Sequence, residues 1–184
     1  LASYSQALQK NLITYSSLLE DTALDNYYST GKAGPKNWYS GYKGDMIAAK
    51  ALEMSVNTIP CKLVKKMGVE TTYYYLYDKL QLTSLDSRKD MNLSALGLGG
   101  TNTGITTTQS AAAFAVFGNL GTYYEPTTFT VMTDQKGNVI LDQSDGNVVL
   151  DENTASIMNH MLQNVVYGKD GTGKKVAGFS KTMK

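Results

Sequence analysis

The sequence of 184 residues has almost no sulfur or imidazole ligands, since it contains one cysteine, Cys61, and one histidine, His160. A single cysteine cannot form a disulfide within the chain, and zinc sites require clusters of cysteine or histidine. We therefore expect no internal disulfide, no metal site and no cofactor. His160 lies in a helical pattern of apolar residues, where a structural or surface role is commoner than a catalytic one. The sequence thus disfavours a Ser-His-Asp triad.

The sequence also lacks a charge imbalance and a long apolar run. Its 17 basic and 16 acidic residues give a formal net charge of +1, which does not indicate nucleic-acid binding or an anionic membrane patch. It contains no run of about 18 apolar residues and no N-terminal pattern of a signal peptide. With 42% hydrophobic residues, the chain can bury one core, so we expect a single domain over residues 1–184. Because the first residues already follow a helical pattern without a methionine, we expect this domain to be truncated at both ends.

Helical periodicity dominates the rest of the sequence. The spacing of apolar residues predicts a helix and a short helical turn from Leu1 to about Asp21, followed by a long loop from Thr22 to Lys43. Further helices are predicted to begin after the N-cap Asp45, to span 58–67 with Gly68 as the C-terminal cap, to span 70–82, to begin near Thr106, and to run from Asp151 to about Val166.

One β-hairpin is predicted within this helical pattern. The β-rich runs Thr127 to Thr133 and Val139 to Asp142 flank a polar turn over residues 134–138. No alternation of strands and helices follows from the pattern, and no large sheet is recognisable. The predicted fold class is therefore α+β and mostly helical.

Two short motifs match catalytic or nucleotide-binding patterns only by their letters. Gly97-Leu98-Gly99-Gly100 follows no clear strand, and the sequence contains no G-x-x-x-x-G-K-[ST], so nucleotide binding is not indicated. Ser29-Thr30-Gly31-Lys32 matches the S-x-x-K pattern of serine acyltransferases, which requires serine and lysine on one face of a helix. Gly31 and its neighbours predict a turn instead.

Ser55-Val56-Asn57 lies at the junction of two predicted helices, where a hydroxyl and an amide two residues apart can project toward one cleft. Alone, serine and asparagine at helix boundaries are normally caps. The surrounding sequence changes this interpretation. Residues 51–69 resemble the S-x-N region of the class A penicillin-binding proteins, which are peptidoglycan transpeptidases.

This resemblance continues in the same order along nearly the whole chain. Pro35-Lys36-Asn37-Trp38 is similar to the P-x-N-aromatic segment before the S-x-N motif of that family. Residues 96–117 resemble its glycine-rich turn and following helix, 119–139 its hairpin, and Gly171-Thr172-Gly173 the segment before its last motif. The resemblance implies the helical part of the penicillin-binding transpeptidase and serine β-lactamase-like fold, with a small hairpin and with most of the central sheet missing.

Two motifs of the family are missing from the sequence. The resemblance places the S-x-x-K nucleophile motif immediately before Leu1 and the K-T-G strand shortly after Lys184. Lys181-Thr182-Met183 imitates K-T-G, but a bulky methionine replaces the glycine that lets substrate approach the strand. Ser55-Val56-Asn57 is therefore the one active-site motif expected within this chain.

The resemblance also implies a mechanism for the complete domain. The absent serine attacks the carbonyl of the penultimate D-alanine of a peptidoglycan stem peptide, which releases the last D-alanine and leaves an acyl-enzyme. An amine of a second stem then resolves the acyl-enzyme into a cross-link. Ser55 would relay a proton between the absent lysine and the leaving group, and Asn57 would hydrogen-bond the substrate amide and the lysine. Trp38 either forms a wall of the cleft and binds substrate or packs within the fold.

Two functions stay open at this point. The first is a fragment of a D,D-transpeptidase that is inactive alone and binds stem peptides and β-lactams in its complete form, on the extracytoplasmic face of the bacterial cytoplasmic membrane. The second is a non-catalytic binding or scaffold module on a transpeptidase-like fold. In either case the missing sheet predicts an uncovered apolar face and self-association of the chain.

Overall fold

The computed structural model describes residues 2–178. Its helices in this range are α1 (Ala2–Gln9), α2 (Ala48–Glu53), α3 (Thr58–Met67), α4 (Val69–Tyr74), α5 (Ser87–Asp90), α6 (Leu93–Leu98), α7 (Thr107–Gly118) and α8 (Glu152–Tyr167). A π-helical turn (Tyr75–Lys79) continues α4, and a 3-10 turn (Lys174–Val176) follows α8. The strands are β1 (Leu18–Asp21), β2 (Gly44–Ile47), β3 (Thr122–Tyr123), β4 (Val131–Thr133), β5 (Val139–Asp142) and β6 (Asn147–Val148).

The architecture is α+β and mostly helical, as the sequence predicts. Within residues 2–178 the strands form three separate two-stranded antiparallel sheets, β1-β2, β3-β6 and β4-β5. The β4-β5 pair confirms the predicted hairpin. Helices α3 and α8 match their predicted ranges to within a residue or two, because both carry a sustained apolar stripe that packs against the core.

The predicted C-terminal cap of α3 and the predicted start of α7 near Thr106 are confirmed. Gly68 follows α3 with a φ of 95°, which a residue with a side chain rarely adopts. At the start of α7, the Thr106 hydroxyl accepts from the Gln109 backbone N–H at 3.1 Å, and the Gln109 side chain accepts from the Thr106 N–H at 3.1 Å. This reciprocal capping box satisfies two donors that a helix start otherwise leaves unpaired.

The prediction of helix on both sides of the long loop is wrong, because the residues next to the loop form the strands β1 and β2. The turn expected before Asp21 is the strand β1, and the helix expected after Asp45 begins only at Ala48 because Gly44–Ile47 forms β2. These strands pair with each other across the loop of residues 22–43. Each apolar run is only about four residues long, a length at which local periodicity does not separate strand from helix.

The core forms around α1, which is buried over almost its whole length. Two of its polar residues form hydrogen bonds inside the core: Ser5 Oγ lies 3.2 Å from the Tyr75 hydroxyl, and Gln6 Nε2 donates to the Thr71 carbonyl at 3.3 Å. Helices α3, α6 and α8 pack around α1, and fully buried side chains such as Ile59 and Met161 each contribute about 1.5–3 kcal/mol. A buried α1 places its first turn beside the end of α2.

None of the helices found between residues 2 and 178 is long and apolar enough to span a bilayer.

Candidate active site

Ser55 lies two residues after the end of α2, in a left-handed backbone conformation with a φ of 53°. Its N–H donates to the Leu52 carbonyl and the Val56 N–H donates to the Ala51 carbonyl, both at 3.0 Å. These two bonds form a Schellman motif, in which glycine normally occupies the position of Ser55. Val56 is buried and anchors the turn, whereas Ser55 is exposed. The chain therefore retains a hydroxyl at a position where the backbone favours glycine.

Asn57 lies at the start of α3 and is held by the long loop. Its backbone N–H donates to Asn37 Oδ1 at 2.9 Å, and its side-chain Nδ2 donates to the Lys36 carbonyl at 2.8 Å. The loop segment of residues 36–38 thus lies along the turn of residues 54–57. One N–H of the Asn57 amide donates to the Lys36 carbonyl, and within residues 2–178 the amide group forms no other hydrogen bond. Its second N–H and its oxygen are available to a ligand.

Ser55 and Asn57 line the same cleft, which has a volume of about 160 Å³. The cleft is formed by three regions of the chain: the first turn of α1, the junction between α2 and α3, and the end of α6. Its other lining residues are Ser3, Tyr4, Leu52, Val56, Pro60, Gly97 and Leu98. The structure therefore brings the two predicted catalytic side chains together at an open surface.

Gly97 explains how α6 comes close enough to form this cleft. A Cβ atom at Gly97 would lie 2.8 Å from Cys61 Sγ and 3.2 Å from Cys61 Cα. The glycine is thus required by the close packing of α6 against α3. Gly99 ends α6 with a φ of 79°. The glycine-rich segment is a helix end and a packing contact.

Trp38 lies outside the set of residues that line the cleft. Its side chain is 65% exposed, and its indole N–H donates to the Met54 carbonyl at 2.7 Å. Its ring also contacts Tyr39 edge-to-face, with the ring centroids 5.4 Å apart. Trp38 is therefore bound to the residue before Ser55, at the edge of the turn that presents the motif.

Ser3 and Tyr4 also line the cleft, which the sequence does not predict. Tyr4 is 2% exposed, and its hydroxyl forms no hydrogen bond within the described part of the chain. Burial raises the pKa of Tyr4 above its ordinary value. No local pattern indicates that Tyr4 lines the cleft, because a tyrosine on a buried helix is normally interpreted as a packing residue. Only the approach of α1 to the end of α2 reveals it.

The segment Gly171-Thr172-Gly173 forms a turn that packs against the end of α2. The Thr172 N–H donates to the Glu53 carbonyl at 3.3 Å, and the Asp170 N–H donates to the Glu53 carboxylate at 2.7 Å. Lys50 bonds both Glu53 and Asp170, and its hydrogen bond lowers the pKa of Asp170. These bonds attach the segment after α8 to Glu53, which is two residues before Ser55.

The remaining candidates have no catalytic geometry. Ser29 to Lys32 forms a turn, in which the Tyr28 N–H donates to the Lys32 carbonyl at 3.1 Å and Gly31 has a φ of 78°. His160 is exposed on α8 and stacks on Tyr15 at 5.5 Å. The segment Lys181-Thr182-Met183 lies outside the described residues.

Comparison with known proteins identifies the family to which this chain belongs. Residues 1–184 match the family described as the penicillin-binding protein transpeptidase domain. The chain belongs to this family, and its prediction from the sequence is confirmed.

Individual relatives and solved structures agree with this assignment. Penicillin-binding protein 1A of Clostridium botulinum is 32% identical over 179 residues, which cover 94% of this chain and 21% of the relative. Penicillin-binding protein 1F of Bacillus subtilis is 36% identical over 173 residues, which cover 94% and 22%. The crystal structure of penicillin-binding protein 3 from Mycobacterium tuberculosis, complexed with aztreonam, matches with a TM-score of 0.71 at 17% identity over 96% of this chain and 43% of that chain; this likeness shows the fold. The chain spans about a fifth of the length of these curated relatives.

Proposed function

We propose that this chain is part of the active-site region of a peptidoglycan D,D-transpeptidase, and that residues 1–184 belong to a single, incomplete catalytic domain. The observation that carries the proposal is the shared cleft of Ser55 and Asn57. In it the serine is held in a left-handed turn and the Asn57 amide is fixed on one side by Lys36. A proton-relaying hydroxyl and a substrate-binding amide are the two groups that the S-x-N motif supplies to acyl transfer.

In the complete domain, Ser55 relays a proton to the leaving group, and Asn57 binds the amide of a peptidoglycan stem peptide or of a β-lactam. The serine nucleophile, its lysine and the K-T-G strand come from flanking segments of a longer polypeptide. Trp38 does not line the cleft, but its hydrogen bond to Met54 places it beside Ser55, where it contacts a stem peptide that extends beyond the cleft. The site operates on the extracytoplasmic face of the bacterial cytoplasmic membrane, where stem peptides are cross-linked.

Labelling with fluorescent penicillin tests this proposal. We expect no covalent labelling of the 184-residue chain, because the sequence contains no S-x-x-K on a helix. A longer polypeptide from the parent reading frame, with both flanking segments, should be labelled at a serine that precedes Leu1. If that polypeptide contains no S-x-x-K and no K-T-G and stays unlabelled, the chain is a non-catalytic binding or scaffold module. Labelling of the 184-residue chain itself would also contradict the proposal.

The hairpin supports a second proposal, self-association of the isolated chain. Its strands β4 and β5 are exposed on both faces, and Val139 and Ile140 are 60% and 63% exposed. Adjacent apolar residues on exposed strands promote association between chains. We expect Ile140→Lys to reduce the mean particle mass measured by light scattering at high concentration. Gln135→Lys, which adds the same charge in the hairpin turn, should leave it unchanged. A monomeric, monodisperse wild-type chain would contradict this proposal.

A further inference from the structure

Asp21, the last residue of β1, carries a fully buried carboxylate that accepts hydrogen bonds from four residues. The hydroxyls of Thr58 and Tyr39 each donate at 2.6 Å, Asn37 Nδ2 donates at 2.9 Å, and the Lys43 backbone N–H donates at 2.9 Å. Within residues 2–178, no lysine or arginine forms an ion pair with this carboxylate. Neutral donors alone stabilise a buried charge.

Such an arrangement requires every donor to be in place. Burial by itself raises the pKa of Asp21, but the hydrogen bonds from Thr58, Tyr39, Asn37 and Lys43 together outweigh it and hold the pKa below its ordinary value. Asp21 is therefore ionised at neutral pH. Hydrogen bonds to an ionised acceptor are about twice as strong as neutral ones, and a buried charge that loses them is costly. The carboxylate thus fixes the donors more firmly than a neutral acceptor would.

These donors belong to the segments that hold the catalytic motif. Asn37 and Tyr39 lie in the long loop on either side of Trp38, and Thr58 directly follows Asn57. Because Nδ2 of Asn37 donates to Asp21, its Oδ1 faces the other way and accepts the Asn57 N–H at 2.9 Å. The same loop supplies the Lys36 carbonyl that accepts from the Asn57 side chain at 2.8 Å. Asp21 is thus linked to Asn57 by two routes, through Asn37 and through the adjacent Thr58, although it does not line the cleft.

We propose that Asp21 is a positioning residue, which sets the orientation of the Asn57 amide through Asn37 and Thr58. The geometric claim stands on the hydrogen bonds alone, and its catalytic consequence rests on the proposed function. No motif of the sequence points to Asp21, since it reads as the end of a helical turn. Asp21 is the only buried residue of the four-residue strand β1. No local sequence pattern indicates this burial.

Hydrogen exchange of the 184-residue chain tests the geometric claim. Asp21→Asn keeps the side-chain shape but replaces one acceptor oxygen with a donor amide, which repels some of the present donors. We expect exchange in peptides covering residues 36–39 and 54–58 to become about 10-fold faster. This factor corresponds to a decrease of roughly 1.4 kcal/mol in the free energy of local opening. Exchange in α8 should stay unchanged. Asp45→Asn is the matched control, because Asp45 is exposed on the neighbouring strand of the same sheet.

Two exchange results would overturn the proposal. If the peptides around Asn57 keep their protection in Asp21→Asn, the residue does not position the motif. If protection falls equally along the whole chain, including α8, Asp21 stabilises the fold without a specific effect on the site. Should Asp21→Asn fail to fold by circular dichroism, Tyr39→Phe is measured in its place. It removes one donor from an intact carboxylate, and the same peptides should show a smaller acceleration.

A double-mutant cycle tests the catalytic consequence in the longer polypeptide. Asp21→Asn should lower the rate of acylation by penicillin about 10-fold in the wild-type background and leave it unchanged when Asn57 is already replaced by alanine. Equal effects in both backgrounds would show that Asp21 does not act through Asn57. If the wild-type polypeptide is not acylated at all, the proposed function fails, while the exchange experiment still decides whether Asp21 positions Asn57.

Discussion

Replacing Ser55 with alanine should lower the rate of acylation by penicillin about 100- to 10,000-fold in a polypeptide that contains the flanking segments, which is the usual effect of losing a proton-transfer group. The Ser55 hydroxyl is exposed in the cleft, and the turn that carries it is held by backbone bonds to Leu52 and Ala51. Removing the hydroxyl therefore leaves the turn intact. Stopped-flow measurement with a fluorescent penicillin gives the rate. An alanine variant that is acylated as fast as the wild type would exclude Ser55 from the reaction.

Ser55→Gly separates the chemistry of the hydroxyl from the cost of its backbone. Both variants lose the hydroxyl, so both should be equally slow in acylation. Only glycine adopts a φ of 53° without a steric cost, which for other residues is about 1–2 kcal/mol. In urea titrations of the 184-residue chain, we expect the free energy of unfolding of Ser55→Gly to be about 1 kcal/mol higher than that of Ser55→Ala. Equal stabilities would show that the turn stores no strain at this position.

Gly121→Ala should cause the largest loss of stability among single-methyl additions. The residue has a φ of +91°, and an added Cβ would lie 2.1 Å from the Leu150 carbonyl oxygen. The Gly121 carbonyl also accepts the N–H groups of Val149 and Leu150, at 2.9 and 3.1 Å, which join α7 to the segment before α8. Backbone strain and overpacking each cost about 1–3 kcal/mol, so the free energy of unfolding should fall by about 3 kcal/mol or more.

Gly118→Ala provides the matched control three residues earlier. Gly118 is the last residue of α7, it is exposed, and no atom lies within 4 Å of an added Cβ. Alanine is favoured over glycine in a helix by about 1 kcal/mol, so this variant should be slightly more stable than the wild type. Thermal unfolding followed by circular dichroism measures both. Similar melting temperatures for the two variants would contradict the close contact at Gly121.

Elements that depend on local signals could be predicted from the sequence. The cap of α3 at Gly68, the capping box of Thr106 and Gln109, and the turn of the β4-β5 hairpin each use residues whose preferences act within a few positions. The location of Ser55 and Asn57 at a helix junction was predictable for the same reason. These signals do not depend on the rest of the chain.

Elements that depend on distant partners could not be predicted. Leu18–Asp21 becomes a strand because Gly44–Ile47 pairs with it across the long loop, and neither run is long enough to show this alone. The cleft requires α1 and α6 to meet the end of α2, and the approach of α6 depends on the absence of a side chain at Gly97. The buried charge of Asp21 is likewise defined by donors 16 to 37 residues away.

A crystal structure of the longer polypeptide after acylation by penicillin would test the central claim most directly. We predict that the acyl group is attached to a serine before Leu1 and lies in the cleft, with Ser55 Oγ and Asn57 Nδ2 within about 3 Å of its polar atoms. The Asn57 amide should keep its bond to Lys36. An acyl group bound elsewhere, with Ser55 and Asn57 in contact with solvent alone, would contradict the assignment of this cleft as the active site.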